Sequence, residues 1–224
     1  MRDQSQGIDL ERLYTYRFRE IGQPDREEIW SEIARWVYQK TGRPLRVLDP
    51  AAGRCEFINS VPAAERWAVD LADHGHCAPA VKLERGDAMS VELPRDHFDL
   101  VWISNFLEHL GSQHEVGGFL RRMHDFTRPG GRIAVLGPNY AYTTRQYFDF
   151  ADHVVPLSHK AIAEHLYAAG FESISVTPRF LPCSFTGRLP AGRTLVRTYL
   201  RMPLAWRVFG KQFLAIAVKH DSDH

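Results

Sequence analysis

The chain is poor in cysteine, with three in 224 residues (Cys55, Cys77 and Cys183) and no CxxC pair. So sparse a set predicts neither a disulfide framework nor a structural zinc site. Long apolar runs are missing too. The longest clean one near the C-terminus is FLAIAV, 213–218, far short of the ~20 residues that span a bilayer. The opening stretch MRDQSQGIDLERL is polar and lacks the apolar core of a secretory leader. The expected compartment is therefore the cytoplasm. Net charge is almost absent, with 28 Lys plus Arg against 27 Asp plus Glu, so overall charge names no partner. Repeats and low-complexity tracts are lacking as well. The remaining balance, 44% hydrophobic and 25% charged, is that of an ordinary globular chain.

What is present is a series of short apolar runs. RVLDP (46–50), RWAVDL (66–71), VKLERGD (81–87), FDLVWIS (98–104), RIAVLGP (132–138), ESISVTP (172–178) and FLAIAVKH (213–220) read as seven strands. Several are apolar throughout, as strands covered on both faces should be. Helical periodicity appears in DREEIWSEIARWVYQK (25–40), which sets Ile29, Ile33, Trp36 and Val37 on one face. EVGGFLRRMHDFTRPGG reads as a helix with a PGG stop, and SHKAIAEHLYAAGF (158–171) as one closed by Gly170. Strands alternating with helices predict an α/β fold with a doubly wound, mostly parallel sheet. Such sheets bind ligands along the edge where the strands end. The expected organisation is one domain. It comprises an N-terminal helical lid (1–43), a core (44–178), a basic helical cap inserted before the last strand (179–212), and that strand with its tail (213–224).

Three strand tips carry acids. Asp49 ends the first strand, and Ala51, Ala52 and Gly53 keep the next turn small enough for a ligand to approach the backbone. Asp70 ends the second strand, where a carboxylate can accept both hydroxyls of a ribose. Asp87 follows the third, where it can accept from an exocyclic amine. One such acid is usually a turn or helix cap. Three in register suit ribose, an amine-bearing base and a cation together.

With these residues in place, the chain resembles the class I S-adenosylmethionine-dependent methyltransferases, especially small bacterial ones that modify sugars, glycans or other small molecules. VLDPAAGRCEFI is similar to that family's first motif, WAVDL to the second, RGDAM to the third, FDLVWISNFLEHL to the fourth and RPGGRIAVLGPN to the fifth strand and the turn before it. The resemblance spans roughly residues 44–178 and implies a Rossmann-like sheet with S-adenosyl-L-methionine as cofactor. It assigns cofactor contacts to Asp49, Ala51, Gly53, Asp70, Leu71, Asp87, Ala88 and Asn105. The chain departs from the pattern at two loop glycines, which are Ala51 and Cys55 here. Alanine is tolerable at negative φ and costs about 1 kcal/mol at positive φ. Cys55 is either a small buried filler or a reactive thiol beside the cofactor.

Methyl transfer to a hydroxyl also needs a base near the fourth and fifth strand tips. His109 is the first candidate, with helix-start packing as its structural alternative. His153 is the second, as base or acceptor ligand; alternatively it anchors its loop by bonding to Asp152. His74 and His76 flank Gly75 in a loop, either facing solvent or close to the adenine. No histidine spacing suggests a metal. Tyr14, Asn139 and Tyr140 are candidate acceptor contacts, although Tyr14 and Tyr16 could equally be packing residues.

The near-neutral total conceals an asymmetry. Residues 179–219 hold eight basic side chains and no acid, while the other 183 residues carry 20 basic and 27 acidic ones. Arg193, Arg197 and Arg201 would form one helical stripe, with Pro203 dividing two short helices. The stripe suits an anionic acceptor such as a nucleotide sugar. Alternatively, residues 192–210 rest on an anionic membrane, or the stripe is a solvated or ion-paired face. Nucleic acid is not expected, because no binding motif accompanies the charge. The sequence thus points to a methyltransferase acting on a small molecule, most simply by O-methylation of a sugar, nucleotide sugar or glycan precursor. A degenerate, non-catalytic binding protein and a nicotinamide-dependent oxidoreductase are the rival readings; the missing GxGxxG argues against the second.

Overall fold

The computed structural model describes residues 12–13, 16, 23–71, 76–182 and 192–221. Seven strands form one sheet: β1 (Arg46–Asp49), β2 (Glu65–Asp70), β3 (Lys82–Arg85), β4 (Phe98–Ser104), β5 (Thr127–Pro138), β6 (Glu172–Thr177) and β7 (Gln212–Val218). Their order is β3-β2-β1-β4-β5-β7-β6. The first five pair in parallel, and β7 runs antiparallel to both β5 and β6. The α/β sheet is therefore as expected, and it is the last strand that makes it mixed.

Helices cover both faces of the sheet. On one lie α1 (Gln23–Lys40) and the short α2 (Glu56–Ser60). Ile29, Ile33 and Val37 of α1 are fully buried against Val47, Leu100, Trp102 and Leu214, so the face read from periodicity is the one that packs. On the other lie α3 (Gln113–Phe126) and α5 (His159–Ala168), whose Val116, Phe119, Leu120, Ile162 and Leu166 meet Val101, Ile103, Ile133 and Val135. In β4, Leu100 to Ile103 are all buried, which accounts for a run with no polar alternation. The one-turn helix α4 (Tyr140–Thr143) follows β5.

Two details differ from the expectation. The PGG segment does not stop α3. The helix ends at Phe126, and Thr127–Pro138 already belongs to β5, with a register shift opposite Phe98 and Leu100. Thr127 on β4's partner position, at Phe98, captures the chain before the turn can act. Second, among the described residues no helix joins β2 to β3 or β3 to β4.

The basic insertion does form two helices, α6 (Arg193–Leu200) and α7 (Pro203–Phe209), with Pro203 at the first turn of the second. Two arginines of the stripe, Arg193 and Arg197, turn toward α1, while Arg201 stays exposed. Arg193 Nε donates to Glu32 Oε1 at 2.7 Å, and Arg197 donates through Nε to Oε2 at 2.9 Å and through Nη2 to Oε1 at 2.8 Å. Arg35 adds a contact at 2.8 Å. Glu32 is buried on α1, so these arginines fasten the insertion to the N-terminal helix. Val196 and Leu200 complete the seam, while Trp206 packs edge-on to Trp36 and Phe180.

The Arg197 hydrogen bond, with Arg193 behind it, holds the Glu32 carboxyl down to about 2 from its usual 4.5. A depressed carboxylate stabilises the fold above its unfolded-state value and loses that contribution as pH falls through its folded value. Glu32→Gln should therefore lower stability at neutral pH by about 1–2 kcal/mol, discounted because both arginines are roughly half exposed. Urea unfolding should show the gap between variant and wild type closing as pH drops from 4.5 toward 2. A gap independent of pH would refute the ion-pair explanation.

Candidate cofactor and active site

The parallel register brings the acidic tips together. Asp49 lies opposite Ala68, and Asp70 lies opposite Arg85, so β1, β2 and β3 end at one edge. The loop after β1 is folded onto the end of β2. Ala52 N donates to Val69 O at 3.0 Å, and Gly53 N donates to Asp70 Oδ2 at 2.7 Å. Gly86 N donates to Asp70 O at 3.0 Å, tying in the third tip. Gly53 has φ +52, and a Cβ built there would meet nothing within 4 Å. The loop is open above that glycine, as a cradle for a nucleoside requires.

The three acids differ in environment. Asp49 is buried, and its Oδ1 has no hydrogen-bond partner. Burial, added to by the neighbouring Asp70 and opposed by the Ala51 amide, pushes its carboxyl up from 3.8 to about 8. An orphaned acceptor beside an open glycine loop is what a site prepared for a cationic ligand would present. Asp70 is half-buried and already holds the loop. Asp87 is exposed and caps its own turn, with Oδ1 accepting from Met89 N at 2.9 Å. Ala88 is buried behind it, while Leu71 is exposed at the β2 tip. Asn105 follows β4 with φ +48, its amide fixed on Leu136 O at 2.9 Å. These residues fit an adenosyl nucleoside: acids at the ribose and base positions, a small loop, and a neutralisable buried acid.

The loop's strain sits at Cys55 and not at Ala51. Ala51 has no positive φ, whereas Cys55 has φ 57 at the N-cap of α2. A non-glycine residue there is disfavoured by about 1–2 kcal/mol. The structure also overturns the expectation that the cysteines stay unpaired, because Cys55 and Cys77 form a disulfide with their Cα atoms 5.2 Å apart. The loops after adjacent strands β1 and β2 are neighbours in space, which their 22-residue separation did not reveal. Asn59 reinforces the same junction, donating to His76 O at 2.8 Å and accepting from Ala78 N at 2.9 Å. His76 is thus tied to this loop; His74, Cys183 and Tyr14 lie outside the described residues.

Beyond β4 a second cluster forms. His109 ends a 3-10 turn, Leu107–His109, and its Nδ1 lies 2.8 Å from Asp152 O and 3.5 Å from Asp152 Oδ2. His153 packs edge-on to His109 at 5.2 Å between ring centres and lies close to Tyr147 and Phe150 at 4.9 Å. Asp152 therefore supports His109, and the two candidate bases belong to one cluster. Buried Glu108 stands beside them, its Oε1 4.0 Å from His109 Nε2. Glu108 is the chain neighbour of His109, and it is the fold that buries its carboxylate against the cluster. Glu108, His109 and His153 each offer a donor atom within 4.8 Å of the others, so this cluster could hold a cation that the sequence spacing did not suggest.

Three acceptor candidates have structural tasks. Asn139 is fully buried at the N-cap of α4, where its side chain accepts from Ala141 N at 3.2 Å and its amide donates to Pro178 O at 2.7 Å. It fastens the end of β5 to the end of β6 and faces no solvent. Arg193 and Arg197 are held by Glu32, so their guanidiniums serve packing. Tyr140, half-buried, stacks edge-on to Tyr147 at 5.4 Å on the acceptor side of the edge.

A seven-stranded sheet of this order, with the last strand reversed and acids at the first three tips, defines a nucleoside-binding methyltransferase fold. The methyltransferase-domain family matches residues 41–135. That match and the sheet order together give the chain the fold of the class I S-adenosylmethionine-dependent methyltransferases. Among solved structures, it is similar to an S-adenosylmethionine-dependent methyltransferase from Archaeoglobus fulgidus: 20% identity, 94% of this chain and 100% of that one, TM-score 0.66. It is also similar to human N-acetylserotonin methyltransferase in complex with S-adenosylmethionine: 14% identity, 96% of this chain and 61% of that one, TM-score 0.61. A third is an S-adenosylmethionine-dependent methyltransferase from Mesorhizobium loti: 16% identity, 83% and 97% coverage, TM-score 0.57. At these identities the likeness shows the fold. No curated protein matches the chain.

Two measurements probe this edge. A raised carboxyl keeps its proton in the folded state where the unfolded chain has lost it, so stability falls as pH rises from about 4 toward 8. Asp49→Asn should flatten that slope in urea unfolding and weaken cofactor binding; an unchanged slope would remove Asp49 as its source. Separately, Cys77→Ser, or reduction of the wild type, should lower stability by about 3 kcal/mol for a loop of 22 residues. Thiol counting under denaturing conditions should find the Cys55–Cys77 pair oxidised beforehand, and two additional free thiols without reduction would refute the bridge.

Proposed function

We propose that the chain transfers a methyl from S-adenosylmethionine to a hydroxyl of a small molecule, a sugar, nucleotide sugar or glycan precursor. The carrying observation is the hydrogen bond between His109 Nδ1 and the carbonyl of Asp152 at 2.8 Å. A carbonyl oxygen can only accept, so Nδ1 carries the proton and Nε2 of the neutral ring keeps its lone pair. That nitrogen is the one left to take a proton from an acceptor hydroxyl, and the Asp152 carboxylate lies 3.5 Å from Nδ1 on the opposite side of the ring. His153 fills the space beside it and limits rotation of the ring.

The cofactor supplies a methyl already activated on a sulfonium. The chain's residues then need to align two partners and exclude water. Asp70 and Asp87 would hold the ribose and the base, Gly53 the close approach of the backbone, and Asp49 the positive end. The carbohydrate acceptor is supported by the resemblance of the motif set to small bacterial sugar and glycan methyltransferases. A phosphate on that acceptor no longer follows from Arg193 and Arg197. A cytoplasmic location belongs to the same proposal. No described helix is long and apolar enough to cross a membrane. In a reducing compartment the Cys55–Cys77 bridge would exchange with thiols.

Calorimetric titration should show binding of the adenosyl cofactor and its demethylated product but not of NADH; binding of NADH alone would overturn the proposal. With labelled cofactor and a panel of nucleotide sugars, His109→Ala should lower turnover by roughly 10²–10⁴-fold and leave cofactor affinity unchanged. Full activity of that variant would transfer the role away from His109.

A further inference from the structure

The second insertion helix presents an apolar face that nothing described covers. In α7, Leu204 and Val208 are one turn apart and 74% and 65% exposed, and Phe209 beside them is 60% exposed. Met202, just before the helix, is 49% exposed. Arg201 and Arg207 flank this strip, both exposed. No acid occurs anywhere between residues 179 and 219. The other arginines of the stripe face Glu32, so the charge that remains outward is the part adjoining the apolar strip.

This face continues onto the acceptor side of the sheet edge. Arg179 donates to Val208 O and to Gly210 O, each at 2.8 Å, and its guanidinium lies 5.0 Å over the ring of Tyr142 in α4. Lys211 Nζ donates to Gln146 Oε1 at 2.6 Å. Tyr142 and Phe148, both exposed, prolong the apolar strip on that side. Large apolar side chains with a basic border, and with Asp149 beside Phe148 as the acid at its far end, are poorly suited to water and well suited to the headgroup region of an anionic bilayer.

We infer that α7 and its basic border dock on an anionic membrane surface, laying the acceptor edge of the sheet against the lipid. Leu204, Val208 and Phe209 enter the interface, and Arg201 and Arg207 meet the phosphates. A charge complement chooses this occupant: a second copy would set two predominantly basic faces against each other. The inference does not depend on methyl transfer, and cofactor binding reports on the fold independently of it.

Cosedimentation with vesicles of equal parts phosphatidylcholine and phosphatidylglycerol tests it. The full chain should bind these and not vesicles of phosphatidylcholine alone, and the binding should weaken with salt. Leu204→Glu with Val208→Glu should reduce binding at least about tenfold, as should Arg201→Glu with Arg207→Glu, while cofactor titration confirms that each variant folds. Equal binding to both lipids, no binding, or retained binding in the folded variants would overturn the inference. So would dimerisation of the wild type, seen by sedimentation velocity and abolished by the Leu204 and Val208 changes.

Discussion

One hydrogen bond, from the Gly53 amide to the Asp70 carboxylate at 2.7 Å, sets the geometry on which the ligand edge depends. It joins the loop after β1 to the tip of β2. With the loop held there, Asp49 is sealed beneath it and Cys55 is turned toward Cys77. The same carboxylate raises the proton affinity of Asp49. Two acids placed so closely without a cation are an unfavourable arrangement that the fold tolerates by keeping one of them neutral. A cationic ligand would relieve it, so the edge is electrostatically suited to one.

The reversed strand β7 sets the other half of the molecule. An antiparallel neighbour for β5 must enter the sheet at the ligand edge, at Gln212 opposite Pro138. The chain leaving β6 therefore has to deliver its insertion to that edge before turning back. Glu32 then anchors α6 to α1, which leaves α7 beside the segment after β5. The position of the basic strip next to the acceptor side is thus a consequence of strand direction combined with one buried acid.

What could be read in the sequence follows from the range of the interactions involved. Asp49, Asp70 and Asp87 were legible because each ends an apolar run, and a parallel sheet aligns such ends automatically. The buried face of α1 was legible because helical periodicity is local. The partner of Arg193 and Arg197 was not, since Glu32 lies more than 160 positions away and only the packing of α6 on α1 joins them. The stripe was real, but periodicity cannot say which side of a helix faces solvent. Cys55 was recognised as anomalous at a glycine position, yet its pairing needed the adjacency of two loops. Asp152 was assigned to His153, its chain neighbour, whereas the fold also folds its carbonyl onto His109 from 43 positions away.

The same residues decide between cofactor classes. A dinucleotide site offers its pyrophosphate the amides of a glycine-rich loop and the positive end of the helix that follows. Here the following helix, α2, is five residues long and begins with Glu56. Both oxygens of that carboxylate accept from Arg26, at 2.6 and 2.9 Å, so that arginine is engaged by an acid of the chain itself. Buried Asp49 adds a second acid on the loop's inner side. A pyrophosphate would meet two carboxylates where it needs donors, and its negative charge would oppose ionisation of Asp49 further. A sulfonium or ammonium would meet the opposite field, with Asp49 placed to serve as its counter-ion once ionised. The loop lacks the glycines of a phosphate cradle because the ligand edge is organised around a cation.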